Sequence, residues 1–521
     1  MPTQQPPPVS VYSATTNHDQ ATDPSSAVPP PVLIVSTTSG VFTGAHHFTI
    51  GQLTAISQHI HGGTTVLQQL EEKGKLAAVH DSSARAYSPK CHPDTRKSLR
   101  TRIGQWGVGN GSDERMFWIL GAAAVGKSAV AQTIAKDFDE RDRLGASFFF
   151  SRPNRVDNPD WVIPTLAYQL ATNHSQYKRI ITERLADDPS ILGKNLCTQL
   201  KKLIIEPFHI LMTEHPDTVR EPLLIILDGL DECRDKQAQC EFIDLISTHV
   251  RQVDEFPLRW LICSRPEWHL QTRLANPHFR VVCERQELNI DDNEAQQDTQ
   301  RLLDAGFENI LEEYEDRLPT NWPPEDDLRQ IAAVASGHLG FASFILRFIG
   351  DDQYSDPDNQ LGICMKFLGR GGAVGAVNPF HALDLLYRQI LSGVPADILT
   401  ITMRILGLFL FYSHPRVVFD HERLPADAEA EFFDVDQATF RRSLQNLHSV
   451  IHVPPVEKSD TAPLRVYHAS FSDFLSDPNR SGKFYLDRQA VEYDVALRSL
   501  DWLEKDGKLS RPQSKLPSLY D

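Results

Sequence analysis

The sequence predicts an α/β fold: a parallel β-sheet with helices on both faces, followed by a helical region and then a mixed α+β region. Three observations predict it. Met116–Leu120 is an apolar run of strand length, followed by Gly121-Ala-Ala-Ala-Val-Gly-Lys-Ser128 and then by the helix-favouring Ala129–Ala135. Leu223–Leu227 is a second continuous apolar run, as in strands buried on both faces of a parallel sheet, and it ends in Asp228-Gly-Leu-Asp-Glu232. Strand-length and helix-length segments alternate to about residue 285, the pattern of a parallel sheet with crossover helices.

In chain order, residues 1–40 hold no Lys or Arg and are dense in Pro, Ser, Thr and Gln, a composition that buries too little apolar area to offset the entropy of ordering. Residues 41–90 are mixed, with Thr64–His80 expected to be a helix. Asp94–Trp106 suits a short basic amphipathic helix leading into the first core strand. After that strand come Gly145–Phe150 as the second, Leu223–Leu227 as the third and Pro257–Cys263 as the fourth. From residue 286 to 375 the chain turns acidic and helical. Residues 376–490 mix helices with a late strand signal at Leu464–Tyr467, and residues 491–521 form a helical tail. Ile398–Tyr412 is the most apolar stretch, but it contains Arg404 and is short for a bilayer, so a buried helix is expected.

The eight residues Gly121–Ser128 have the spacing of a phosphate-binding loop, in the strand–loop–helix context that gives the motif meaning. Gly121 and Gly126 let the backbone turn so that the N–H groups of Ala122, Ala123, Ala124, Val125 and their neighbours through Ala129 face a phosphate at the positive end of the following helix. Lys127 would reach the β- and γ-phosphates of a nucleoside triphosphate, ATP or GTP, and Ser128 would ligate Mg²⁺. A carboxylate at the tip of a buried parallel strand lies where α/β folds bind ligands. Asp228 would there hold the Mg²⁺, while Asp231 or Glu232 orients or deprotonates an attacking water.

Composition sets outer limits. A chain of 521 residues has room for about three domains. Its 52 basic and 69 acidic residues give a net charge of −17, which argues against a general nucleic-acid or membrane-surface binder. The seven cysteines show no Cys-x-x-Cys pair, as expected of reduced thiols in a cytoplasmic protein with no membrane span.

The chain resembles NACHT-type signalling NTPases of the STAND class, most nearly their basidiomycete fungal branch, over roughly residues 40–490. The resemblance rests on Cys91-His-Pro-Asp-Thr-Arg96, the phosphate loop, Ala146-Ser-Phe-Phe-Phe-Ser-Arg152, Leu227–Cys233, Cys263-Ser-Arg-Pro-Glu267, Leu447–Val453 and His468-Ala-Ser-Phe-Ser-Asp-Phe-Leu475. It implies a NACHT core over 91–285, a helical domain over 286–375 and a winged-helix-like domain over 376–490. It further implies that Arg265 is a sensor arginine near the γ-phosphate, that His468 contacts a diphosphate in the resting state, and that residues 91–106 supply part of the base pocket. The implied function is a switch that holds ADP or GDP at rest, oligomerises with triphosphate, resets by slow hydrolysis and acts with an unidentified protein partner or sensor. In fungal relatives this serves non-self recognition and programmed cell death. Two departures stand out: Ala124 replaces a usual Gly, and the sensor repeats common in the family do not appear before Asp521. Both leave a catalytically weak nucleotide-binding scaffold as the alternative.

Overall fold

The structure is a computed structural model that describes residues 65–505 apart from 111–112, 253–255, 290–291, 336, 352–354, 370–378, 412–423 and 468. All of these lie in the unit Gly63–Asp521. His468, the 41–63 segment and the two ends of the chain therefore lie outside the described residues.

Five parallel strands form the main sheet: β1 (Met116–Gly121), β2 (Leu144–Phe149), β3 (Leu223–Asp228), β4 (Leu258–Ser264) and β5 (Cys283–Leu288), in the order β2-β3-β4-β1-β5. The registers Phe117↔Leu261 and Ile225↔Trp260 put the phosphate-loop strand next to β4 and β4 next to β3. That order brings the carboxyl ends of β1, β3 and β4 side by side, and every residue of these three strands is buried. Four of the five strands coincide with apolar runs. β5 does not: its Cys-Glu-Arg-Gln-Glu-Leu alternates in burial because it is an edge strand with one face toward solvent, and it runs past residue 285.

The other edge, β2, is covered. The side-chain amide of Gln169 accepts from the Ser147 N–H and donates to the Ser147 carbonyl, both at 2.9 Å, and the His80 N–H donates to the Ser147 hydroxyl at 3.1 Å. The outward backbone groups of Ser147 are thereby satisfied. The expected helix over Thr64–His80 is shorter than its apolar pattern suggests, spanning only Val66–Lys73. At Gly74 the chain meets Thr165, whose hydroxyl accepts from the Lys75 N–H at 2.7 Å, and this tertiary contact draws the backbone off the helix axis.

The helices that build the site are α1 (Lys97–Gly107), α2 (Lys127–Asp139), α3 (Asn293–Glu313), α4 (Leu339–Ile349), α5 (Ala396–Phe411) and α6 (Ala469–Leu475). Two apolar clusters fill the two faces of the sheet, one around Phe148, Leu166 and Ile262, the other around Phe117, Ile134 and Leu261. A third cluster runs through the C-terminal helices from Leu303 to Val495 and takes in α5. The late strand signal is realised as β7 (Arg465–Val466), paired antiparallel with β6 (Ile451–His452). The molecule thus has an α/β P-loop fold with a helical C-terminal region that carries a small sheet. Among the described residues, no helix is long and apolar enough to cross a membrane.

Gln169→Ala leaves two buried backbone groups of Ser147 without partners and should destabilise the chain by about 1–3 kcal/mol in urea unfolding. An unchanged midpoint would mean that the amide is not what closes this edge.

Candidate functional site

β1 runs directly into the predicted loop, and α2 starts at Lys127 with Gly126 as its N-cap at φ 95°. Ala124 stands at φ 64°, the left-handed region that favours glycine, at a cost of about 1 kcal/mol. α4 secures this turn, since the Gly340 N–H donates to the Ala124 carbonyl at 2.8 Å. A Cβ on Gly340 would lie 2.7 Å from that of Ala124, so the missing side chain at 340 makes room for the extra one at 124. From the other side, Arg96 donates to the Val125 carbonyl at 3.1 Å while its own N–H is held by Asp298 at 2.8 Å. The Lys127 ammonium donates to the carbonyls of Gly121 (2.8 Å) and Ala122 (2.7 Å), and burial lowers its pKa.

The carboxylates at the end of β3 converge on this loop. Asp228 is fully buried; burial raises its pKa, opposed by a hydrogen bond from the Ser128 hydroxyl. Its Oδ1 has no hydrogen-bond partner among the described residues. An orphaned carboxylate oxygen beside a serine hydroxyl is a donor pair of the kind a hard divalent cation takes, so these two residues fit Mg²⁺.

Asp231 and Glu232 have different surroundings. Gly229, at φ 70°, turns the chain tightly under the Phe150 carbonyl and sends both side chains into the cavity. Asp231 accepts from the Arg265 N–H at 2.9 Å through Oδ1 and pairs with Arg265 Nε at 3.3 Å through Oδ2, so both its oxygens are committed. Glu232 accepts from the Arg152 N–H at 2.9 Å, and its pKa is pushed up to about 7, first by burial and then by the Asp231 charge. Arg265 continues to Asp473 of α6 at 3.2 Å. Burial acts to lower the pKa of this arginine, but Asp473 and Asp231 outweigh it and hold the guanidinium charged.

Two further arginines complete the arrangement. Arg152, the last residue of the Ala146–Arg152 motif, donates to the carbonyl of Asp231 at 2.7 Å and braces the acidic turn. Arg85 does not stand out in the sequence at all. Its guanidinium stacks 3.8 Å from the Phe149 ring, is held by Gln132 at 2.9 Å, and faces the charges of Asp228 and Glu232; burial lowers its pKa to about 10. It comes from the segment before the core, 143 residues upstream of Asp228, where no local pattern marks it.

Lys127, Ser128, Asp228, Asp231, Glu232, Arg265 and Arg85 line one cavity of 860 Å³, which Cys91, His92 and Thr95 share with Leu302, Leu339 and Ser343. Of residues 91–106, which the resemblance assigns to part of a base pocket, Cys91, His92 and Thr95 line the cavity. Tyr467 and Ala469, on either side of His468, line the cavity as well.

Gly340→Ala should destabilise by about 1–3 kcal/mol through its clash with Ala124. Adding Ala124→Gly should recover part of that loss in a double-mutant cycle, and full additivity would refute the fit. Glu232 binds its proton more tightly in the folded chain than in the unfolded one. Its contribution is therefore largest below its ordinary pKa of 4.5 and is lost as pH rises to about 7. Glu232→Gln should be more stable relative to wild type at pH 8 than at pH 4.5 in urea titrations, and equal differences at the two pH values would contradict the shift.

Residues 99–265 match the family model described as Nephrocystin 3, N-terminal, less than half of the chain. No curated protein matches. Among solved structures, the chain is similar to Cdc6p from Pyrobaculum aerophilum at 13% identity and a TM-score of 0.34, covering 80% of this chain and 97% of that one. Drosophila ORC bound to DNA matches at 14% identity and a TM-score of 0.27, covering 76% and 97%. PCH-2 of C. elegans matches at 11% identity and a TM-score of 0.27, covering 56% and 70%.

Proposed function

We propose that this chain is a nucleotide-operated signalling switch of the NACHT and STAND kind. In this reading a nucleoside triphosphate, ATP or GTP, lies on Gly121–Ala129 with Lys127 against its phosphates, and Ser128 and Asp228 hold the Mg²⁺, whose charge offsets that of the phosphates. Glu232 is then the better placed general base. Its raised pKa suits proton transfer near neutral pH, whereas the oxygens of Asp231 are taken by Arg265. Asp231 positions Arg265, and hydrolysis is slow.

One observation carries the switch. Arg265 lines the cavity with Lys127 and spans from Asp231 at the sheet edge to Asp473 on α6. A γ-phosphate that recruits this guanidinium competes with Asp473 for it, so triphosphate and the α6 contact are coupled through one side chain. Three more contacts cross the same boundary. Asn154 exchanges two hydrogen bonds of 3.2 Å with Val466, and Arg155 donates to the Leu408 carbonyl at 3.1 Å. The diphosphate form keeps them, and the triphosphate form releases α6 and exposes surface for assembly with further copies. A diphosphate contact from His468, an unidentified sensor or partner, and a role in non-self recognition or programmed cell death follow from the resemblance alone.

The strained Ala124 favours a second reading, a scaffold that binds nucleotide and turns it over poorly. Denaturing purified wild type and Lys127→Ala and chromatographing the released nucleotide tests both. ADP or GDP from wild type alone supports the switch. If wild type holds none and ATP and GTP give no thermal shift, nucleotide binding is refuted. Asp473→Asn should raise the preference for triphosphate over diphosphate about twofold to fivefold, the scale of a partly exposed ion pair, and speed hydrogen exchange in α6. An unchanged ratio with unchanged exchange would sink the coupling.

A further inference from the structure

The cavity carries more positive charge than a phosphate loop accounts for. Its acidic lining residues are Asp228, Asp231 and Glu232, all in the cluster at the end of β3. Away from that cluster, Arg347 of α4 and Arg465 of β7 also line it. Neither has a carboxylate within ion-pair distance among the described residues. Among the described residues each guanidinium donates one hydrogen bond, from Arg347 to the Ser449 carbonyl at 3.4 Å and from Arg465 to the Ser83 carbonyl at 3.3 Å. A guanidinium has five donors, so most of theirs remain for a ligand.

The two arginines belong to one aromatic-walled compartment. The Arg347 guanidinium stacks 4.2 Å from the Tyr467 ring. The Tyr467 ring lies 6.3 Å from that of His452, which in turn lies tilted 4.7 Å from the Tyr87 ring. His452 is the β6 residue directly opposite Arg465. Burial lowers the pKa of both guanidiniums, so each stands partly desolvated with no carboxylate paired to it among the described residues. Such a charge is costly until an anion meets it.

We infer that Arg347 and Arg465 form a second ligand subsite, which takes the phosphate group of a small molecule distinct from the nucleotide on the loop. A multi-oxygen anion suits two guanidiniums better than a single carboxylate does, because each fork offers parallel donors. The geometry separates this subsite from the phosphate loop. Gly340 touches the loop at Ala124, and Arg347 stands two helical turns further along α4, about 10 Å at 1.5 Å per residue. A nucleoside triphosphate anchored by its phosphates presents an uncharged base and ribose at that range, which have no use for two cations.

Inorganic pyrophosphate is the probe, titrated calorimetrically into the full chain at low salt. Lys127→Ala disables the phosphate loop, so this variant should still bind pyrophosphate. Adding Arg347→Gln and Arg465→Gln should weaken that binding by about tenfold or more per guanidinium lost, and the two-lysine version should restore part of it. Thermal melts identify any variant that fails to fold, in which case the lysine version alone carries the comparison. Pyrophosphate binding that disappears with Lys127→Ala, or survives the loss of both arginines, overturns the subsite. Saturating Mg-ADP distinguishes the two sources of phosphate: unchanged pyrophosphate affinity supports a separate ligand, and competition assigns the arginines to the nucleotide itself. If wild type binds no nucleotide, the switch reading fails while the Lys127→Ala titration still decides the subsite.

Discussion

Three carboxylates crowd the end of one buried strand, and their charge governs what surrounds them. Asp228, Asp231 and Glu232 lie within five residues at the carboxyl edge of the sheet, where low dielectric magnifies repulsion. Cations from separate parts of the chain meet them: Lys127 from the phosphate loop, Arg265 from the end of β4, Arg152 from the turn after β2, and Arg85 from the segment before the core. Balancing this cluster holds four segments in one place. It also distinguishes the neighbouring acids, because both oxygens of Asp231 are held by a fixed guanidinium while Glu232 is left with a raised pKa.

The C-terminal region meets this cluster through contacts of a different kind. Apolar packing on the sheet and apolar packing among the C-terminal helices form separate clusters. What joins them near the cavity is polar: the Arg265–Asp473 pair, the two-way bond between Asn154 and Val466, and Arg155 on the carbonyl of Leu408. Hydrogen bonds of this kind can be exchanged for others at small net cost, whereas separating a shared apolar core exposes its whole area to water. In the proposed switch, this polar seam beside the loop is what lets ligand charge bias the contact between the two regions.

The phosphate loop departs from the glycine-rich norm and is supported from outside. Ala124 keeps a left-handed backbone because Gly340 lacks the side chain that would collide with it and donates to its carbonyl. Arg96 fixes the next carbonyl along. A strained turn persists when its neighbours over-determine it, and here two elements far apart in sequence do so.

Local pattern by itself determined the strands β1 to β4, the phosphate loop, the acidic strand end and the buried helix α5, since each is written in contiguous residues whose apolar run or spacing states its environment. At Ala124 the resemblance offered only that a glycine is usual there, and the positive φ itself came from the structure. Tertiary structure alone decided the rest. β5 alternates because it lies at an edge, and edges exist only once the sheet is ordered. The first helix stops at Gly74 because Thr165 meets the chain there. Between Asp231 and Glu232 the sequence offers two equal acids, and the partners that distinguish them, Arg265 and Arg152, are brought up by other strands. Arg85 acquires its place by stacking on Phe149 and facing Asp228, contacts that span 64 and 143 residues. Charge partners are chosen by distance in space, and that distance is set only when the sheet has brought its strand ends together.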